Sequence, residues 1–250
     1  MLRRTISACL GALSLVLASQ VSAGISLNST RIIFNGSDKE ASITVRNGGQ
    51  QALIQSWIDN ADATDTPAPF AVTPPLARIP ANEQQLLRLL YEGSGMPTDR
   101  ESVVWLNVQE IPQAVDGQNT LQLAVRQRIK VFFRPAGLAG EAHQVPEELQ
   151  WKLELQGGKH VLKVRNPSRY HVSMANVTLG SASRADVAVD STMVAPGEEK
   201  EFTVKQPASS SSVELTFSSI NDYGAQVPYA AKLSAGNSVG ATATRSNRDS

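Results

Sequence analysis

Histidine is the side chain best suited to acid–base work or metal ligation near neutral pH, and the chain has three, His143, His160 and His171. Their separations match no metal-ligand spacing. The single cysteine, Cys9, lies in an apolar N-terminal stretch, which removes the usual cysteine-containing zinc sets, so neither metal nor cofactor is expected. Each histidine reads as a surface or half-buried strand residue, with no identifiable nucleophile beside it, and the chain is not expected to be an enzyme. The groups with chemistry to offer lie instead on one long segment, Leu121 to Pro135, LQLAVRQRIKVFFRP. Leu121, Leu123 and Val125 share one face, Gln127 interrupts it, and Ile129, Val131 and Phe133 resume it. The other face carries Gln122, Ala124, Arg126, Arg128 and Lys130. An apolar row backed by cations is equipped for recognition, not bond making. A strand this long exceeds the usual range of roughly 3 to 10 residues, and exposed at a sheet edge it would invite aggregation. Periodicity leaves two readings open: an ordinary core strand, or a strand whose exposed half awaits a partner.

The elements that must position this segment are strands. Short runs rich in β-branched residues recur between turn signals, as expected of an all-β sandwich. The first half has them at 31–34, 41–46, 52–60, 70–72, 102–111 and 121–133; the second at 150–155, 159–166, 170–179, 185–189, 201–204, 212–219 and 226–233. Alternation is plain in Ala41, Ile43 and Val45. Residues 84–92 carry Leu86, Leu87, Leu89 and Leu90, which suit a helix as well as a buried strand; the strand-rich context assigns them to a strand. Asn47-Gly48-Gly49, Asp116-Gly117, Gly157-Gly158 and Asn166-Pro167 supply turns. Residues 135–146 lose periodicity and mark a linker between two units.

At the N-terminus, Arg3 and Arg4 precede the apolar stretch 9–18, and Val21-Ser22-Ala23 has the small-x-small pattern of a cleavage site, so residues 1–23 are expected to be a signal peptide. That stretch is too short to span a bilayer, which takes about 20 residues, and no membrane insertion is expected. The remaining part of the 250-residue chain suits two domains, expected at 24–138 and 139–235, with a disordered tail at 236–250. Of 23 basic residues the signal segment holds two, leaving 21 against 23 acidic ones, a balance that does not suggest a nucleic-acid partner.

From Thr30-Arg31-Ile32-Ile33 onward the chain resembles the periplasmic pilus chaperones of the chaperone-usher pathway. The matching pieces are Leu53 to Trp57, Val72 to Leu76, Asp99 to Ser102, Asn107-Val108, Arg128 to Lys130, Arg134 to Ala136 and Ile220 to Ala225, in family order over nearly the whole mature chain. The resemblance implies two immunoglobulin-like β-sandwiches joined at an angle around a cleft, in the periplasm. It also implies pilus subunits and an outer-membrane usher as partners. Donor-strand complementation is a known case of β-strand addition and comes with the resemblance: Leu121, Leu123 and Val125 would fill the groove of an incomplete subunit. Arg31 and Lys130 would grip the subunit's C-terminal carboxylate, and Glu101, Arg134 and Asp222 would form a salt-bridge cluster between the domains. Arg134 between two carboxylates suits charge neutralisation better than acid–base catalysis. The short loop 112–120 and the lack of a cysteine pair resemble the short-loop branch of the family. Free chaperone would protect its exposed strand, as a self-capping homodimer does. The competing reading from another class is a secreted adhesive or receptor-like sandwich that binds through its loops.

Overall fold

The computed structural model describes residues 24–61, 66–111, 124–181, 184–204, 212–234 and 236–244. Two β-sandwiches follow one another along the chain. The first contains β1 (Ile25–Leu27), β2 (Arg31–Asn35), β3 (Glu40–Asn47), β4 (Ala52–Asn60), β5 (Phe70–Thr73), β6 (Leu76–Ile79), β7 (Gln84–Tyr91), β8 (Ser102–Ile111) and β9 (Arg126–Arg134). One sheet runs β1-β3-β7-β5 and the facing sheet β2-β9-β8-β4-β6. After one helical turn, α1 (Val145–Glu148), come β10 (Gln150–Gln156), β11 (Lys159–Arg165), β12 (Val172–Ser181), β13 (Arg184–Val194), β14 (Glu199–Val204), β15 (Val213–Ile220), β16 (Gln226–Leu233), β17 (Ser238–Val239) and β18 (Thr242–Ala243). These form the sheets β14-β11-β10-β17 and β13-β12-β15-β16-β18.

Side-chain alternation builds each core. In β3, Ile43 and Val45 are buried while Ser42 and Arg46 face solvent, the pleat turning one sequence into two surfaces. The leucine-rich segment is a strand: Leu87 and Leu89 point inward and are fully buried, Leu86 and Leu90 face out. Pairing with β3 on one flank and β5 on the other satisfies its backbone and the facing edges of both neighbours, which a helix at that place would leave without those partners. Phe34, Phe70, Tyr91 and Phe133 form an aromatic cluster with ring centroids 4.6 to 6.3 Å apart. Trp151, Phe217 and Tyr229 make the second core's counterpart, at 5.1 and 5.3 Å.

Two asparagines from the turn signals do more than turn the chain. Asn47 Nδ2 donates to the carbonyls of Gln50, Ile79 and Pro80, and its Oδ1 accepts from Gly49 N–H. Asn166 Nδ2 donates to the carbonyls of Tyr170 and Val194, and its Oδ1 accepts from Ser168. Both are buried, tying loop backbone that would otherwise be left unpaired.

Three sequence expectations need revision. The linker at 135–146 ends inside the second core, where Val145, the first residue of the α1 turn, and Leu149, just after it, are buried. Pro146 sits at the start of that turn, where its missing N–H costs nothing. Of the tail expected to be disordered over 236–250, residues 245–250 lie outside the described residues, while 236–244 carry β17, which pairs with β10, and β18, which pairs with β16; Ala241 between them is buried. Gly236 to Gly240 also spells Gly-x-Ser-x-Gly, but Ser238 lies exposed in β17 opposite Lys152 and not at a strand-to-helix elbow, so the match has no nucleophilic meaning. Finally, the strand expected over 121–133 runs from Arg126 to Arg134 among the described residues, while Ala124 and Val125 are exposed and outside it.

Candidate functional site: the cleft between the sandwiches

β9 reaches the cleft by its own alternation. Val131 and Phe133 enter the first core, so Arg126, Arg128, Lys130, Phe132 and Arg134 share the outward face. β2 pairs with β9 in parallel, and its first residue, Arg31, stands directly across from Lys130. β2 covers only Lys130 to Arg134. β8 pairs with β9 from Arg126 onward, so Arg126 to Ile129 have a strand on one flank and, among the described residues, none on the other. Gln127, which broke the apolar row, donates its side-chain amide to the Ile25 carbonyl. Val125 is 51% exposed. Leu121 and Leu123 lie outside the described residues.

The two cations are half-buried and differ in their engagements. Arg31 Nη1 donates to the Ile220 carbonyl at 2.8 Å, its guanidinium lies 5.5 Å from the Phe132 ring centroid, and its Nε is buried without a partner. Burial pulls its pKa down, opposed by Asp222 and Glu101. Lys130 Nζ lies 5.7 Å from the Trp105 ring centroid, over which the Arg128 guanidinium also sits at 4.4 Å, and makes no ion pair among the described residues. Burial lowers its pKa too, reinforced by the positive charges of Arg31 and, from the second sandwich, Lys200. A pair of half-buried cations, neither of which forms an ion pair among the described residues, favours an incoming anion.

Deeper in the cleft Glu101, Arg134 and Asp222 do come together. Arg134 Nε donates to Glu101 Oε2 at 2.7 Å, and its two terminal nitrogens grip both Asp222 oxygens at 2.7 Å each. These bonds hold the Arg134 pKa above its ordinary value although burial, the largest single influence, opposes them. The Glu101 side chain is 1% exposed; its Oε1 accepts the His171 N–H at 2.8 Å and meets His171 Nδ1 at 2.9 Å. Glu101 and Arg134 belong to the first sandwich, His171 and Asp222 to the second, so the cluster is an inter-domain clasp. Tyr170 extends it, its ring 5.5 Å from the Arg134 guanidinium and its hydroxyl donating to the linker carbonyls of Leu138 and Gly140. Gly224, at φ +83°, lets the loop after β15 approach the first sandwich: a Cβ there would lie 2.6 Å from Thr30 Oγ1.

His171, Phe132 and Tyr170 are the cleft residues that sequence reasoning missed. His171 packs edge-on against Phe132 at 6.0 Å, and its side chain is 9% exposed, buried at a domain boundary more than in a strand. A lone histidine carries no local signal. Phe132 does carry one, as an aromatic in an otherwise cationic row.

Two sandwiches clasped over a cationic cleft describe a binding protein, and comparison with known proteins identifies the kind. The model for the pili and flagellar-assembly chaperone PapD N-terminal domain matches residues 24–139, and that for the pili assembly chaperone PapD C-terminal domain matches 144–231. The chain belongs to the PapD family of pilus assembly chaperones, whose two domains are immunoglobulin-like and which are not enzymes. The probable fimbrial chaperone LpfB of Escherichia coli O157:H7 is 40% identical over 220 residues, 85% of this chain and 90% of its own. The crystal structure of the YadV chaperone matches with a TM-score of 0.72 at 35% identity, covering 84% of this chain and 100% of that one. The SafB chaperone, solved in complex with Salmonella enterica SafA pilin, matches at 0.69 and 29% identity over 86% of this chain and 98% of that one.

Proposed function

We propose that this chain, exported to the periplasm with cleavage before Gly24, captures unfinished pilus subunits by lending them the strand that leads into β9, and delivers them to an outer-membrane usher. The observation that carries the reading is the half-open flank of β9: β2 pairs only from Lys130 onward, and among the described residues Arg126 to Ile129 keep one edge of backbone donors and acceptors for an added strand. The exposed Val125 continues that edge upstream. Leu121, Leu123 and Val125 are the groove-filling side chains, each worth roughly 1.5 to 3 kcal/mol when fully buried. Arg31 and Lys130 hold the subunit's terminal carboxylate, and this anchor sets the register, since a slip of one residue would turn every side chain to the wrong face. The clasp of Glu101, Arg134 and Asp222 sets the angle between an N-terminal domain at 24–138 and a C-terminal domain that begins at 139. The shortness of the segment 112–120, which lies outside the described residues, and a lone cysteine in the leader favour the short-loop branch, and a homodimer of free chaperone would cover the open edge. SafB in complex with a pilin supports the assignment of partner class.

Replacing Leu123 by glutamate tests the mechanism. The variant should fold with unchanged circular dichroism yet fail to copurify a subunit from its native periplasm. Copurification at the wild-type level would refute strand donation.

A further inference from the structure

We propose that Tyr223 is an anchor for the captured subunit: its ring packs on an apolar side chain among the subunit's last residues, beside the carboxylate held by Arg31 and Lys130. This rests on reading those two cations as the carboxylate clamp.

Tyr223 is 93% exposed, the most open large hydrophobic residue among those described. Single exposed apolar residues are common on protein surfaces. What sets Tyr223 apart is a backbone held on every side. Asn221 N–H donates to the Ala225 carbonyl and Gly224 N–H to the Asn221 carbonyl, each at 2.9 Å, closing the turn between β15 and β16. Asn221 Oδ1 accepts from Tyr223 N–H at 3.1 Å and from Ala225 N–H at 2.9 Å, an Asx turn around the tyrosine itself. On one side of it Arg134 grips both oxygens of Asp222, and on the other Gly224 lies against Thr30. An open side chain on a pinned backbone is preorganised for binding: burying it costs the two torsions of a tyrosine and no ordering of the loop.

The same ties place the ring beside the clamp. Thr30, which Gly224 approaches, immediately precedes Arg31, and Arg31 Nη1 donates to the Ile220 carbonyl, three residues before Tyr223. Three residues span at most about 10 Å even when extended, and here they lie in a closed turn. Tyr223 and Arg31 also line the same inter-domain cavity. A chain that ends between Arg31 and Lys130 therefore brings its last residues within reach of the ring. The charges nearest Tyr223 are already matched, Asp222 and Glu101 with Arg134, so a further charge on the subunit gains no partner there. An apolar side chain gains the face of an aromatic ring, the residue type that dominates interface hot spots.

Chemical footprinting tests the contact in the complex of the full mature chain with the subunit that copurifies from its native periplasm. Of the four tyrosines, Tyr223 alone is exposed: Tyr91 is half-buried, and Tyr170 and Tyr229 are buried, which pushes their hydroxyl pKa values up. Tetranitromethane should therefore nitrate Tyr223 first in the free monomer, and at least about tenfold more slowly in the complex, as read by peptide mass spectrometry. Tyr223→Ala should leave the melting temperature unchanged and speed release about tenfold, measured as transfer of the subunit to an excess of fluorescently labelled wild-type chain. Tyr223→Phe should release at the wild-type rate. A complex in which Tyr223 nitrates as fast as in the free monomer overturns the anchor and leaves capture standing. Unaltered release from Tyr223→Ala does the same, as does a fall in its melting temperature, which would assign the ring to the fold. Equal losses in Tyr223→Ala and Tyr223→Phe would assign the effect to the hydroxyl and overturn an apolar contact. Undiminished capture by Lys130→Ala overturns the clamp, and a wild-type chain that brings down no subunit overturns capture itself; the anchor falls with either.

Discussion

Replacing Glu101 by glutamine removes the charge from a carboxylate that is 1% exposed and bonded through both oxygens, to Arg134 Nε at 2.7 Å and to His171 N–H at 2.8 Å. Glutamine keeps one acceptor oxygen, so one of these donors must face its amide NH₂. Removing one partner of a buried ion pair costs about 3 to 5 kcal/mol, largely because the other charge is left uncompensated. Arg134 keeps its two bonds to Asp222, which places the expected loss at the lower end, about 3 kcal/mol. Asp222 is 42% exposed, so water screens its share, and Asp222→Asn should cost about 1 kcal/mol or less. At roughly 2 to 4 °C per kcal/mol for a protein of this size, the melting temperature should fall by about 6 to 12 °C for Glu101→Gln and by no more than about 4 °C for Asp222→Asn. Scanning calorimetry of both variants at one pH and salt concentration measures this. Equal losses, or a loss below about 1 kcal/mol for Glu101→Gln, would refute the view that Glu101 is the buried anchor of the clasp. Small-angle scattering supplies the geometric counterpart: Asp222→Asn should alter the distance distribution between domains, and an unchanged profile would mean that the clasp does not set their angle.

Further consequences follow from the other charged and buried polar groups. Burial and neighbouring cations lower the Lys130 pKa, so at a given pH its free-amine fraction is raised, and amine-directed acetylation should mark it faster than the exposed Lys39 until a carboxylate ligand occupies the cleft; equal rates read by mass spectrometry would contradict this. Lys130→Ala should abolish subunit capture with thermal unfolding nearly unchanged, and a large fall in stability instead would assign the residue to the scaffold. Hydrogen bonds from Lys152, Gln156 and Lys163 hold the Glu154 carboxyl down to about 2, so whatever stability its ionised form contributes is present above the ordinary carboxylate range and disappears as pH falls through about 2. Carbon-detected NMR should find that midpoint, which Lys152→Ala raises; a wild-type midpoint near 4.5 would disprove the network. Asn47→Ala leaves the carbonyls of Ile79, Pro80 and Gln50 without their shared donor and should cost about 3 kcal/mol in urea unfolding, at the rate of roughly 1 to 3 kcal/mol for an orphaned buried group; a loss below 1 kcal/mol would mean that water replaces it.

The sequence by itself determined the all-β class and most of the strands, because a two-residue period such as Ala41, Ile43, Val45 is written locally and survives into the fold. It also named the residues of the clasp and the cationic pair, though only through family resemblance, since nothing near Glu101 in the chain announces Arg134, His171 or Asp222. The two-residue strands β17 and β18 had too little length for any period; their order comes from pairing with β10 and β16 and from burying Ala241. The four leucines of β7 were ambiguous until partners on both flanks satisfied the backbone. Whether β9 is covered or open could not be read from its alternation, because a core strand and a half-open one share the same period. That was decided by where β2 begins, at Arg31 opposite Lys130, a register fixed between residues about 100 positions apart by the packing of the whole first sandwich.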